Sequence, residues 1–174
     1  MTVRIRSEVD SRYSAPDAAA PEWDSIARTL ADTEIYALTT TLSNGSPHTV
    51  PVAGTWNESG FWFCTGEYEQ KSRNIAHSPR GSVHIGGTEF STGMDINVRG
   101  EVVQATDNAS LTMLADAINA KYPEPFRFSV GDGALLNPHG NRALVFCIRP
   151  EVAHVFTRGE STAQVRYVFE SDQG

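Results

Sequence analysis

The stretch between Phe61 and Arg80 has the residue types and spacing of a phosphate-binding segment. An apolar run ends at Thr65 and Gly66, and a short helical pattern that carries Lys71 begins a few residues later. Amides at a helix start carry partial positive charge, threonine adds a hydroxyl and lysine adds a full charge. Glycine lets the backbone approach a ligand closely. A solvated helix with cations on its outer face has the same pattern, and spacing alone favours that plainer interpretation.

Other chemistries find little support in the sequence. No histidine pair has the spacing of a helical zinc site, no Cys-x-x-Cys occurs, and no Gly-x-Ser-x-Gly marks a hydrolase nucleophile. The histidines are His48, His77, His84, His139 and His154. His84 alternates with Val83 and Ile85, so a strand would point it away from the core. We therefore expect no metal site, and we identify no catalytic acid or base.

Charge and composition limit the partners and the compartment. The net charge is −7 and the pI is near 5.2, whereas non-specific nucleic-acid binding requires a basic surface. The chain has neither a signal-peptide pattern nor an apolar run of about 18 residues that could span a membrane. Cys64 and Cys147 lie in apolar runs and are predicted to be buried, unpaired thiols. We expect a cytoplasmic protein with no nucleic-acid or membrane partner.

The sequence pattern predicts that the phosphate-binding segment belongs to a mainly β domain. Residues 1–20 lack periodicity and are predicted to be a loose N-terminal arm or a segment that clasps a partner, and residues 21–170 are predicted to form a single domain. Helices are predicted over 21–33, 69–77 and 107–121, the last capped by Asp107-Asn108. Residues 124–141 are predicted to be loop. Strands are predicted over 34–42, 48–56, 61–65, 81–87, 94–105, 143–148, 152–157 and 164–169.

Two features refine this pattern. Pro51 lies inside a predicted strand, which implies that its backbone nitrogen faces something other than a neighbouring strand. Trp56 and Trp62 lie on consecutive strands, and we predict that they pack in the core or at an interface rather than against a ligand ring.

Three segments together resemble the pyridoxamine-phosphate-oxidase-like family, the FMN-binding split barrels. Residues 65–80, TGEYEQKSRNIAHSPR, resemble the flavin-phosphate segment of that family. Residues 44–52, NGSPHTVPV, resemble its Gly-x-Pro-His hairpin and the strand with a Pro-Val step that follows. Residues 165–169, VRYVF, are similar to its final Arg-aromatic strand. The resemblance extends over about residues 34–169.

The resemblance implies a six-stranded antiparallel split β-barrel that forms a homodimer with two cofactor sites at the interface. One strand would lie along the isoalloxazine ring, the loop and helix after residue 64 would hold the phosphate, and the partner subunit would add the remaining contacts. The residues implied along the ring are Thr49, Val50, Pro51 and Val52. Those implied at the phosphate and ribityl chain are Thr65, Gly66, Gln70, Lys71 and Asn74. Those implied from the partner are Arg99, Phe156 and Arg166.

The sequence departs from the family pattern at positions that bear on the substrate. Gln70 stands where many members have an arginine, and Thr49 stands where the pyridoxamine phosphate oxidases have another. Near the C-terminus, those enzymes hold substrate phosphate with an Arg-x-His pair, and this chain has Arg166-Tyr167-Val168. Oxidation of pyridoxamine phosphate itself is therefore not predicted.

The functional hypothesis from sequence is a flavin-dependent oxidoreductase that transfers a hydride to an unidentified small molecule. FMN is slightly favoured over the deazaflavin coenzyme F-420, whose longer tail would need an extended cationic groove beginning at Lys71, Arg73 and Arg80. Two alternatives remain open. One is a flavin- or haem-binding module without turnover, and the other is a dimeric scaffold that has lost its ligand.

Overall fold

The computed structural model describes residues 3–124, 126–159 and 161–171. The helices are α1 (Trp23–Asp32), α2 (Gln70–His77) and α3 (Asn108–Lys121). The strands are β1 (Val3–Val9), β2 (Tyr36–Thr41), β3 (Pro47–Val52), β4 (Thr55–Asn57), β5 (Gly60–Gly66), β6 (Arg80–Ile85), β7 (Gly93–Ala105), β8 (Ser129–Val130), β9 (Leu135–Leu136), β10 (Arg142–Arg158) and β11 (Ala163–Ser171).

All strand pairs are antiparallel, and the long strand β10 joins two parts of the sheet. The strand order is β1-β11-β10-β7-β6-β2-β3, with β5 also paired to β10 and β4 paired to β5. Residues 143–148 of β10 pair with β5, residues 152–157 pair with β11, and both parts pair with β7. The predicted mainly β, split-barrel fold is confirmed. The two strands predicted over 143–157 are one continuous strand.

A register shift between Pro150 and Val152 allows β10 to bend between its two sets of partners. Gly100 on β7 lies against this bend, and a Cβ built there would be 1.7 Å from the Arg149 carbonyl oxygen. A side chain at this position would therefore push β7 away from β10.

The buried side chains form two clusters on opposite sides of β5 and β10. The larger cluster contains α1 and a row of aromatic rings in which Tyr36, Phe61, Phe63 and Phe146 follow one another at centroid distances of 4.6, 5.7 and 5.6 Å. The smaller cluster packs α3 over the other face of β5 and β10. Trp56 belongs to the first and Trp62 to the second, which confirms the core placement within the protomer.

The N-terminal segment differs from the predicted loose arm. Residues 3–9 form β1, which pairs with β11 along its whole length. The next residues are also fixed to the same chain, because the Ala15 amide donates to the Thr162 carbonyl at 2.8 Å and the Tyr167 hydroxyl donates to the Pro21 carbonyl at 2.6 Å. Residues 1 and 2 of the predicted arm lie outside the described residues. Residues 3–9 do alternate apolar and polar side chains, with arginines at positions 4 and 6, and this strand signal was missed in so short a segment, whose partner β11 is distant in the sequence.

Two further elements differ from their predicted bounds. The strand predicted over 48–56 is divided into β3 and β4 at Gly54, where a Cβ would be 2.5 Å from the Phe61 ring. The predicted loop 124–141 contains β8 and β9, a small hairpin added to β10. The three helices are confirmed, and the Asp107 carboxylate caps α3 by accepting a hydrogen bond of 2.9 Å from the Ser110 amide.

In the part of the chain that the structure describes, no helix is both long enough and apolar enough to cross a membrane.

Candidate functional site

Strand β3 forms one edge of the sheet and one wall of an open cleft. Among the described strands, β3 pairs with β2 alone, as the position of Pro51 predicts. The cleft next to it has a volume of about 370 Å³. We call it the ring cleft, and its lining residues are 35–37, 49–51, 84–87 and 95.

The four residues predicted along a flavin ring do not all face the ring cleft. Thr49, Val50 and Pro51 line it, whereas Val52 is only 8% exposed and packs in the larger core cluster. The exposed Thr49 hydroxyl is 2.8 Å from the Thr39 hydroxyl on β2. Because the side chains of Thr49 and Pro51 are exposed, the outer surface of β3 is available to a planar ligand.

The residues predicted to come from a partner subunit lie on the same sheet face as the ring cleft. His84, which lines the cleft, is directly opposite Asn97, which is opposite His154, which is opposite Arg166. Directly paired residues share a face of the sheet, so Arg166 projects on the cleft side. Arg99 and Phe156 are two residues from Asn97 and His154 on their strands and share this face. We call this surface the outer sheet face; it comprises Pro51, Ala37, His84, Asn97, Arg99, His154, Phe156 and Arg166.

Charge on this face disfavours protonation of His154. Partial burial lowers the pKa of His154 below its ordinary value, and the positive charges of Arg99 and Arg166 lower it further. The face therefore presents two guanidinium groups beside an imidazole that resists becoming a third cation.

The predicted phosphate segment brings its polar groups together around a carboxylate that sequence reasoning missed. The Gly66 amide donates to Glu69 Oε1 at 3.0 Å, and the Lys71 ammonium forms an ion pair with Glu69 Oε2. The Thr65 hydroxyl is buried, at 3% residue exposure, and has no hydrogen-bond partner among the described residues. We call this group the anion cradle: Thr65, Gly66 and Lys71, with Glu69 in it.

The electrostatics of the cradle favour an anion. Burial works to raise the pKa of Glu69, but the hydrogen bonds from the Lys71 ammonium and the Gly66 amide outweigh it, so the pKa is lowered. Nearby Cys64 responds in the opposite direction: burial, with a smaller contribution from the Glu69 charge, raises its pKa to about 12. Cys64 is therefore a neutral thiol, and the carboxylate is the anion that the cradle holds.

Gln70 and Asn74, also predicted near the phosphate, connect α2 to the sheet. Gln70 donates through Nε2 to the Asn74 side-chain oxygen at 2.7 Å, and Asn74 donates through Nδ2 to the Thr40 hydroxyl at 2.9 Å. Asn74 is 2% exposed, so its amide braces the helix. Because Thr40 belongs to β2, which also lines the ring cleft, this strand connects the cleft to the cradle.

A protein-family match covers both the ring cleft and the anion cradle. The family model described as Pyridoxamine 5'-phosphate oxidase matches residues 23–155, a range that includes β3 and the anion cradle. The chain belongs to the pyridoxamine 5'-phosphate oxidase family. Strands β1 and β11, the latter carrying Arg166, lie outside the match.

Solved structures share the family fold at low identity. A conserved hypothetical protein from Mycobacterium tuberculosis has a TM-score of 0.66 and 17% identity, over 82% of this chain and 88% of that one. A pyridoxamine 5'-phosphate oxidase-related, FMN-binding protein from Nostoc punctiforme has a TM-score of 0.57 and 19% identity, over 90% and 94%. A heme binding protein from Mycobacterium smegmatis has a TM-score of 0.60 and 19% identity, over 84% of this chain and 59% of that one. No curated protein sequence matches the chain.

A second ion pair at the ring cleft was also missed from sequence. Asp95 lines the cleft and is paired with Arg158, which also donates through Nε to the Thr92 carbonyl at 3.2 Å. A Cβ at Gly86 would be 2.0 Å from Asp95 Oδ1, so glycine is what lets the loop approach this carboxylate. The two residues are 63 positions apart, and only the pairing of β7 with β10 brings them together.

Proposed function

We propose that this family member binds a flavin, FMN in the first instance, at the interface of a homodimer and transfers a hydride to a small-molecule substrate. The single observation that carries the proposal is that the edge strand β3 and its neighbours line an open cleft, while α2, which follows the anion cradle, is held against β2 of the same cleft. A bound flavin would supply the two-electron chemistry through its own ring.

The residues of the chain fit the two ends of such a cofactor. At the cradle, the Gly66 amide and the Lys71 ammonium converge on the Glu69 carboxylate, which supports a role for them toward a phosphate, and the buried Thr65 hydroxyl would add a further donor. At the cleft, Thr49, Val50 and Pro51 would lie along the ring and exclude water from one side of it. No side chain of the chain is assigned as an acid or base.

The outer sheet face supports the proposed dimer. It exposes Phe156 at 38%, it carries the guanidinium groups of Arg99 and Arg166, and its residues continue directly from the ring cleft. In an isologous dimer, the same patch of a second copy would cover the cleft and bring those three side chains to the cofactor. Without that copy, the cleft stays open to solvent.

The cationic groups near the cradle favour FMN over the longer-tailed deazaflavin coenzyme. Arg80 is held by Glu151 through two bonds of 2.5 Å and Lys71 is paired with Glu69, so of the three cations only Arg73 is left for an extended groove. A second candidate, haem binding, is favoured by one observation: His84 is exposed on the cleft wall and could offer an imidazole to iron. A haem spectrum that changes on binding and reverts in His84→Ala would support this candidate instead.

The test of the proposal is a titration of the purified protein with FMN, followed by flavin fluorescence and by the mass of the complex in solution. We expect saturable binding of one FMN per chain in a dimer. Thr49→Trp, which places an indole on the exposed surface of β3, should weaken it by about tenfold, or about 1.4 kcal/mol, because the ring loses its place against the strand. Arg28→Met, which removes an exposed cation on α1, should not change it. Absence of flavin binding at tens of micromolar would contradict the proposal.

A further inference from the structure

We infer that Glu69 is a specificity-determining residue that competes with phosphate for the anion cradle, so that the protein binds its flavin through the ring rather than through the phosphate. This inference rests on the proposed function. It concerns how much of the binding the phosphate supplies, and it predicts that FMN and riboflavin bind with similar affinity.

Two donors of the cradle, the Gly66 amide and the Lys71 ammonium, are already in use. Gly66 donates to one oxygen of Glu69 and Lys71 is paired with the other. The Lys71 side chain is only 14% exposed, so its ammonium is held at this position, whereas Glu69 is 53% exposed and can turn outward. A phosphate can therefore enter only if the carboxylate leaves.

The net charge of the cradle also disfavours phosphate. A phosphate monoester carries about −1.5 to −2 charges at pH 7. The cradle offers one lysine, and Glu69 cancels its charge, while Gln70 contributes no charge and uses its amide to hold Asn74. The phosphate must break the Glu69–Lys71 pair and then remain beside the displaced carboxylate. Both requirements reduce the favourable free energy of phosphate binding.

The cradle nevertheless retains capacity for an anion. The buried Thr65 hydroxyl is near enough to Glu69 to make a small contribution to its lowered pKa, but within the described residues it makes no hydrogen bond of good geometry. An oxygen-rich anion would satisfy it. The cradle is therefore an anion site that the chain's own Glu69 carboxylate fills. Substitution of Glu69 should open the site to phosphate.

The experiment compares FMN with riboflavin, which has the same ring and no phosphate, on the wild type and on Glu69→Gln. We expect the two dissociation constants of the wild type to lie within about threefold of each other. In Glu69→Gln, FMN should bind at least tenfold more tightly and riboflavin should be unchanged. Glu67→Gln is the matched control, because Glu67 lies two residues away and contacts Arg142 at 3.8 Å, outside the cradle.

Inorganic phosphate alone provides a readout that does not depend on the flavin ring. Thermal unfolding in phosphate, compared with chloride at the same ionic strength, should show stabilisation of Glu69→Gln and none of the wild type or Glu67→Gln. If Glu69→Gln gains neither phosphate stabilisation nor FMN affinity, the inference is wrong, even where riboflavin binds. If no flavin binds any variant but Glu69→Gln is stabilised by phosphate, the competition is supported and the proposed flavin function fails.

Discussion

Lys121 shows how one charged residue joins several elements of this fold. At the end of α3, its ammonium donates to the Ala31 carbonyl at 2.7 Å, to the Tyr36 hydroxyl at 3.0 Å and to the Gly54 carbonyl at 3.1 Å. These partners lie on α1, on β2 and in the turn between β3 and β4. Burial lowers the pKa of Lys121, but its three partners give each proton of the ammonium an acceptor.

We expect Lys121→Met to destabilise the protein by about 2–3 kcal/mol, because two carbonyls and a hydroxyl lose a charged donor in a half-buried place. Urea unfolding measures this change, and Arg28→Met, on the exposed face of α1, should remain within about 0.5 kcal/mol of the wild type. A loss below about 0.5 kcal/mol for Lys121→Met would show that the ammonium is not a structural anchor.

His154 should make stability depend on pH at the acid side of neutrality. Its pKa is lowered in the folded state, first by burial and then by Arg99 and Arg166, so below about pH 6.5 the unfolded chain binds more protons at this residue. Stability contributed by the neutral imidazole is therefore lost as the pH falls through this range. His154→Gln should flatten the decline in unfolding free energy between pH 7 and 5, and His139→Gln, in an exposed loop, should not. An unchanged slope in His154→Gln would contradict the assignment.

Among the elements, β10 determines how the two halves of the barrel meet. It pairs with β5 before its bend and with β11 after it, and Gly100 permits β7 to follow the bend. Periodicity in the sequence predicted two short strands here, because Pro150 interrupts the alternation. Their fusion depends on long-range pairing with three partner strands, which local sequence does not encode.

Gly100→Ala should cost about 2 kcal/mol or more, because its methyl group would have to displace the Arg149 carbonyl or separate β7 from β10. Urea unfolding measures the free energy of unfolding of this variant and of the control Gln104→Ala, which changes an exposed position on the same strand. The control shows how much stability an alanine in β7 costs where no backbone contact is close. Equal stability of the two variants would argue against a close approach at the bend.

At the scale of the whole molecule, local signals predicted a mainly β fold and part of the candidate site. The hairpin, the capped α3 and the alternating strands were readable because turn residues and apolar periods are local. In the anion cradle, the sequence pointed to Thr65, Gly66 and Lys71, but it did not point to Glu69 as the carboxylate that the cradle holds. The spacing of Glu69 and Lys71, two residues apart, does not tell whether the carboxylate faces solvent or the lysine. The Asp95–Arg158 pair and β1 were missed since both depend on distant parts of the chain.

The exposure of these parts is the basis of the proposed dimer. The ring cleft opens onto the outer sheet face, and we propose that the same face of a second copy completes it. We therefore propose that a flavin ring binds against β3 in a dimer, whatever its phosphate contributes.

The most direct measurement is a riboflavin titration, followed by fluorescence quenching, of the wild type and of Thr49→Trp, with the mass of each protein determined by light scattering. We predict one riboflavin per chain in a wild-type dimer. In Thr49→Trp, which places an indole on the exposed surface of β3, binding should fall by tenfold or more while the fold is retained. Riboflavin binding that is unchanged in Thr49→Trp, or absent from the wild type, would contradict the account.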